Sequence, residues 1–255
     1  MKLPELHAVG LTEIPEVTPG EDLVALAAEA TKRAHLEPAD GDVFVFAQKV
    51  VSKAEGRLVR LADVRPSALA SRWAAAYDKD PRFVEVVLAE TRRIVRMDRG
   101  VLICETVHGF VCANAGVDAS NVSGECVTLL PTDPDASAER LRVGLRAAFG
   151  VPVGVIVADT FGRPWREGLV NVALGVAGLP PLADYREQTD AYGRPLTVTV
   201  VAASDEIASA AELVMGKTAR VPVAIVRLSG DVHPVAHAGG SGRELVRPAE
   251  RDLFR

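Results

Sequence analysis

Apolar positions near the start of the chain recur at helical spacing, then give way to a continuous run. Leu23, Leu26, Ala27, Ala30 and Ala34 share one face at a 3.6-residue period. Thr18 stands where an N-cap belongs, Pro19 at the first helical position and Glu21 where a capping box places its acid. Asp40, Gly41 and Asp42 then mark a turn. Residues 43–51 are rich in β-branched and aromatic side chains and predict a strand, closed by 52–56. Residues 66–91 read as two short helices meeting at Asp80 and Pro81, and strand-like segments follow at 92–97, 100–106 and 109–114. A second capped helix starts near Asp135 or Ser137, groups Leu141, Leu145 and Ala148, and stops at Gly150. A buried strand over 153–158 delivers Asp159 at its end. From there to about Arg194 the chain is punctuated by Gly and Pro, too irregular for one long element. A strand at 197–202, a helix at 204–215 with Ile207, Ala210, Ala211 and Val214 on one face, and a strand at 221–227 complete the pattern.

Strands and helices do not alternate in βαβ units, so the pattern favours an α+β fold over a doubly wound sheet. The main body spans 1–240. The segment 241–255, Gly-rich and then charged, reads as a tail or linker.

Composition narrows the classes. With 48% apolar and 25% charged residues over 255 positions, the chain can bury a full core without disulfides. A net charge of −5 supplies no basic excess for nucleic acid. The N-terminal segment has no signal-like apolar region and no stretch reaches about 18 apolar residues, which predicts a cytoplasmic protein off the membrane. Cys104, Cys112 and Cys126 are odd in number and widely spaced, so free thiols are expected rather than disulfides or a zinc site.

Three segments carry candidate chemistry. NAGVDASN at 114–121 packs small residues around Asp118, a carboxylate suited to Mg²⁺ or Mn²⁺; Asn121 can donate to a phosphate or base. The same loop is equally readable as an Asx turn. At 155–166, an aliphatic strand presents Asp159 and Thr160, with Arg163 and Arg166 placed to meet an anion. The alternative there is a solvated turn after a core strand. Lys49 and Lys53 lie four apart near a strand end, as phosphate-binding charges or as surface lysines. Two tempting motifs fail. Gly216, Lys217 and Thr218 resemble the end of a phosphate-binding loop, but Ala211 stands where that loop needs glycine, and a helix precedes it. His233 and His237 have metal-ligand spacing, but Pro234 disfavours the helix that would align them. No Ser-His-Asp or Cys-His constellation stands out.

Taken in order, these blocks resemble the coenzyme F420-0:L-glutamate ligase (F420:γ-glutamyl ligase) family. The resemblance rests on Gly10 and Leu11 with Ile14 and Pro15, VVSKAEGR at 50–57, NAGVDASN at 114–121, LLPTDPDASAERLR at 129–142, DTFGRPWREG at 159–168, DAYGRPL at 190–196, SDEIA at 204–208 and VPVAIVR at 221–227. It implies GTP-driven phosphorylation of the lactyl-phosphate carboxylate of F420-0. Attack by the amine of L-glutamate follows, then further γ-linked additions. It also implies Mg²⁺ or Mn²⁺, K⁺, and an intertwined homodimer of a two-part, mixed, largely antiparallel α+β fold. Asp118 and Asp159 become metal ligands with Thr160 at a second metal, and Arg163 serves catalysis. Leu11, Thr12, Glu13, Ile14, Gln48, Lys49, Lys53 and Asn121 fall around GTP, as do Met215, Gly216, Lys217 and Thr218. The chain departs from archaeal members at Lys217, where those carry an acidic residue. Its tail resembles the junction leading to a flavin-binding reductase domain in bifunctional members. Competing readings are a ligase for another carboxylate acceptor and a non-catalytic GTP-sensing module. Clustering of Arg163, Arg166 and Arg186 as a second anion site weighs against the sensor.

Overall fold

The most apolar segments of the chain meet in one five-stranded sheet. The computed structural model describes residues 3–120, 124–229 and 239–252. Its first half contains β1 (Glu5–Leu11), α1 (Leu23–Arg33), β2 (Val43–Ala47), α2 (Gln48–Ala54), β3 (Leu58–Arg60), α3 (Ala68–Ala76), α4 (Pro81–Ala89), β4 (Thr91–Asp98), β5 (Val101–Thr106), β6 (Val111–Ala113) and β7 (Cys126–Thr128). The second half contains α5 (Pro134–Phe149), β8 (Gly154–Arg163), β9 (Arg166–Ala177), β10 (Ala183–Asp184), β11 (Val200–Val201), α6 (Ala203–Met215) and β12 (Val223–Ser229). The large sheet runs β1-β12-β2-β8-β9, with only β2 and β8 parallel. The fold is therefore α+β with mostly antiparallel sheets, as the pattern predicted.

Both faces of this sheet are covered, which is why β2 and β8 are continuous apolar runs. Phe44, Phe46, Val155 and Val157 point to the side of α1 and α5, where Ala27, Leu141 and Leu145 complete a core. Val43, Val45, Ile156 and Ala158 point the other way, to Ile207, Ala208, Ala211 and Met215 of α6. A second region has its own core. The sheet β4-β5-β6, the pair β3-β7 and helices α3 and α4 enclose Trp73, Val84, Val87, Leu102, Cys104 and Val127. Phe110, Leu130 and Leu174 link the two regions.

Several boundaries differ from expectation for identifiable reasons. Helix α1 starts at Leu23 with Asp22 as N-cap, not at Thr18, because Gly20 takes a positive φ of 88° and turns the chain first. Glu21 does reach back to the Thr18 N–H, but this closes the turn rather than the helix. The strand expected over 43–51 stops at Ala47. Residues from Gln48 instead form α2, where Ser52 donates to Gln48 at 2.8 Å across one turn and Val51 packs into the core. The segment after Asp159 was expected to be irregular, yet β8 runs on to Arg163 and returns as the twelve-residue β9. Gly175 lies in β9 against the Pro134 carbonyl, where a side chain would not fit, so this glycine serves close packing and not a break. The strand read at 197–202 is only Val200–Val201. The two helices hinged at Asp80 and Pro81 form as predicted, with Asp80 as N-cap and Pro81 opening α4.

Cys104 and Cys112 are buried and Cys126 half-buried; all three are free thiols. No helix among the described residues is long and apolar enough to cross a membrane. Residues 239–252 lie along the body, with Gly242 against the Leu174 carbonyl and Ser241 donating to Asp135 at 2.5 Å.

Candidate functional site

One end of the large sheet gathers most of the expected site residues. Leu11 closes β1 opposite Val223, which opens β12; Val223 pairs with Phe46 and Phe46 with Val157. The loops and helix ends leaving these positions carry residues 12–15, the start of α2, Asp159 with Thr160, and 216–222. Gly10 lets β1 lie against the end of α6, since a side chain there would strike the Val214 carbonyl and Val221. Not every residue on these segments is available. Leu11, Gln48 and Met215 are buried at 0%, 2% and 3% exposure, so their side chains belong to the core. Thr12, Glu13, Gly216, Lys217 and Thr218 are exposed, and Ile14 and Lys49 half-buried. Asn121, His233 and His237 lie outside the described residues.

The second region delivers Asp118 to this sheet end. After β6 the chain takes three consecutive left-handed residues, Asn114, Ala115 and Gly116, with φ of 52°, 51° and 74°. Such a backbone is costly for non-glycine residues and holds only where packing enforces it. Here Ala115 is buried and Gly116 is pressed on Leu130. Asp118 then pairs through its backbone with Thr128, at 3.0 and 2.8 Å. Its carboxylate accepts from the Ser120 N–H at 2.6 Å and the Ser120 hydroxyl at 3.0 Å. The loop is therefore an Asx turn that still aims a carboxylate outward. Lys49 of α2 lies 2.7 Å from that carboxylate and donates to the Ser120 hydroxyl at 2.6 Å. Burial opposes the charge on Asp118, but the bonds from Lys49 and Ser120 outweigh it and hold its pKa below the usual carboxylate range.

Asp159 is the opposite case. It stands on β8 across from Val172, makes no ion pair among the described residues, and accepts the Thr160 N–H. Burial pushes its pKa up to about 6; the Thr160 N–H pulls it down, the Asp118 charge adds to the rise, and Lys49 and Lys217 offset part of it. The two aspartates thus sense each other's charge from different regions of the chain; Lys49 is paired with Asp118, and both Lys49 and Lys217 act on Asp159 through charge alone. Burial, with the Asp159 charge adding to it, pushes the Cys112 thiol up to about 12, which favours its neutral form.

Two site residues escaped the sequence. Asn171 of β9 is Thr160's cross-strand partner and is 3% exposed. Its Oδ1 accepts from the Thr160 hydroxyl at 2.6 Å, and its Nδ2 donates to Glu212 at 2.9 Å. Glu212 stands in the last turn of α6 and lies 2.7 Å from the Lys217 ammonium, which also donates to the Thr160 hydroxyl. Asn171 was hidden in a stretch that did not read as a strand, and Glu212 lies off the apolar face by which its helix was read. The available signal was the apolar alternation around Asn171 in LVNVALGVA. Gly216 caps α6 and its N–H returns to the Glu212 carbonyl at 2.9 Å, so the segment before Lys217 is a helix, not a strand feeding a phosphate loop.

The remaining cations are dispersed. Arg163 sits at the β8-β9 hairpin and donates to the Glu167 carbonyl at 2.6 Å, while its buried Nε has no partner among the described residues. Arg166 is exposed on the same hairpin. Arg186 is bound to Asp184 in a two-pronged ion pair. Lys53 is buried and pairs with Glu16.

The donor set suits a hard divalent ion. Two carboxylates and the Thr160 hydroxyl are oxygen donors, and Mg²⁺ in nucleotide sites commonly takes one or two carboxylates, with phosphates and water completing its shell. Among the described residues no group of three or more His, Cys, Asp or Glu forms a self-contained metal cage. An ion here would accordingly need ligands from a bound anion.

The α+β fold is that of a ligase family: the chain belongs to the F420-0:gamma-glutamyl ligase family, whose profile matches residues 12–228. It is 44% identical over 253 residues to the coenzyme F420:L-glutamate ligase of Methanothermobacter thermautotrophicus, covering 98% of this chain and 99% of that one. The ligase of the same name from Methanopyrus kandleri is 47% identical over 254 residues, 99% of each chain. That of Methanocaldococcus jannaschii is 43% identical over 217 residues, 85% of each.

Proposed function

We propose that this chain joins L-glutamate to the lactyl-phosphate carboxylate of coenzyme F420-0, using GTP, and adds further glutamates through γ-linkages. The observation that carries this reading is the convergence of Asp118 and Asp159 beside Lys49 and Lys217, in a chain that matches ligases of that name over nearly its full length. In the proposed reaction a carboxylate oxygen of the acceptor attacks the γ-phosphorus of GTP, and GDP leaves. The glutamate amine then attacks the acyl carbon, phosphate leaves, and the amine proton passes to solvent or a nearby base. Both reactants of the first step are anions, so the site must offset their repulsion and align them. Lys49 and Lys217 supply fixed positive charge, and Asp118 and Asp159 would hold Mg²⁺ or Mn²⁺. When bound, that ion would supply charge neutralisation on the phosphates. Segments 11–14 and 215–218 would border the nucleotide, largely through backbone groups, given the burial of Leu11 and Met215. Arg163 would meet an anionic group at the hairpin. K⁺, a homodimeric assembly and a cytoplasmic location belong to the same reading.

The test is direct. Protein incubated with GTP, Mn²⁺, F420-0 and glutamate is expected to give products heavier by successive glutamyl units, with one GDP per unit. Absence of both the mass increment and glutamate-dependent GDP release would reject the proposal. GTP binding without acceptor-stimulated hydrolysis would favour a sensor, and GDP release only with other carboxylates a different ligase.

A further inference from the structure

The bonds around Thr160 have a fixed polarity. Glu212 as a carboxylate can only accept, so the amide of Asn171 must turn its Nδ2 toward it. That orientation puts Asn171 Oδ1 against Thr160, whose hydroxyl hydrogen is committed to it at 2.6 Å. The Thr160 oxygen then presents only lone pairs on its open side, where the second Glu212 oxygen also faces. Hydroxyl and carboxylate oxygens facing one point, with no donor among them, form a place for a hard cation. What stands there is the ammonium of Lys217, bonded to Thr160 and 2.7 Å from Glu212. Gly216, at φ 59° and ψ 179°, bends the chain at the end of α6 so that Lys217 reaches back over the last turn, where the helix dipole also favours a cation.

Resting on the proposed metal-dependent ligation, we infer that Lys217 is a built-in substitute for a second divalent cation, so that the site takes one metal ion per chain, between Asp118 and Asp159. An ammonium fixed at Thr160 and Glu212 balances the local carboxylates and repels any divalent ion that approaches them. It remains a positioning residue, holding permanent positive charge beside the site where phosphate is handled. A plain surface ion pair at a helix end would look similar but would leave metal stoichiometry untouched.

The test counts bound Mn²⁺ by electron paramagnetic resonance of the free ion, with calorimetry alongside, on the whole protein loaded with one equivalent of a tightly bound non-hydrolysable GTP analogue per chain. Wild type is expected to bind one Mn²⁺ per chain with the spectrum of an isolated ion. Lys217→Ala is expected to bind two, with a spin-coupled spectrum, and Lys217→Arg to stay at one. Adding Glu212→Gln to Lys217→Ala is expected to return the count to one, which separates this site from adventitious binding elsewhere. Two ions in wild type, or one in folded Lys217→Ala, would overturn the inference while leaving metal-dependent ligation standing. No bound ion in wild type would remove the metal reading itself, and this inference with it.

Discussion

Asp42 and Asp159 are both shielded aspartates on the large sheet, at opposite ends of it. Asp42 immediately precedes β2 and is 0% exposed. Arg227 grips it with two bonds of 2.7 Å, and the Ala39 N–H adds a third at 2.8 Å. Its carboxylate is fully used, and it fastens the β2-β12 pair at the end away from the site. Asp159 follows the core run of β8, has one backbone donor, and receives only partial compensation from lysines that are bonded elsewhere. The same residue type is structural where its partners are complete and chemically poised where they are not. Incomplete satisfaction, more than burial, marks the site.

That contrast can be broken by substitution. Asp42→Ala removes three hydrogen bonds at a buried carboxylate, leaves the half-exposed Arg227 guanidinium to solvent, and is expected to cost about 2–4 kcal/mol, read as a lowered midpoint in urea. A loss below about 1 kcal/mol would show that Asp42 is not the anchor described.

Asp159→Asn is expected to act in the opposite direction. In the metal-free protein Asp159 keeps its proton up to about pH 6, whereas the unfolded chain releases it near the ordinary value of 3.8. The native state therefore binds more protons between those values, and stability falls as pH rises through them. Above pH 6 the full penalty is present, on the order of 2 kcal/mol. Asp159→Asn should recover this at pH 7.5 and lose the advantage near pH 3.5, as measured by thermal midpoints at both values. Equal midpoints of variant and wild type at pH 7.5 would contradict the origin given for the shift.

The smallest effect belongs to the pair at Asp118. Its carboxylate is 41% exposed in its ion pair with Lys49, so solvent screens the attraction. Lys49→Met should change stability by less than about 1 kcal/mol while weakening nucleotide binding in a calorimetric titration. A stability loss comparable to that of Asp42→Ala would place Lys49 in the scaffold rather than the site.

Much of this was legible beforehand. The apolar runs of β2 and β8, the helices around Asp80 and Pro81, and the placement of Asp159 at the end of a core strand follow from local pattern. Where sequence reading went astray, tertiary packing overrode local preference. Gln48 to Ala54 carries strand-like valines but coils because α2 buries Val51 and the Gln48–Ser52 pair. Pro164, Gly168 and Gly175 look like breaks, yet they sit at a hairpin tip, in the register irregularity just inside that tip, and at a contact too close for a side chain. That misreading hid Asn171, and with it the role of Glu212. Asp118 and Asp159 were each visible as candidates, but their meeting depends on how two regions with separate cores pack together, which no local spacing encodes.

The central claim is that Asp159 serves metal-assisted ligation and not the fold. It is tested most directly by the glutamyl-addition rate of Asp159→Asn, followed by mass spectrometry with GTP, Mn²⁺, F420-0 and glutamate at pH 7.5. The account predicts a rate at least about 1,000-fold below wild type, in line with loss of a group that stabilises transition-state charge, in a protein at least as heat-stable as the parent. A folded Asp159→Asn that adds glutamate at the wild-type rate would contradict it.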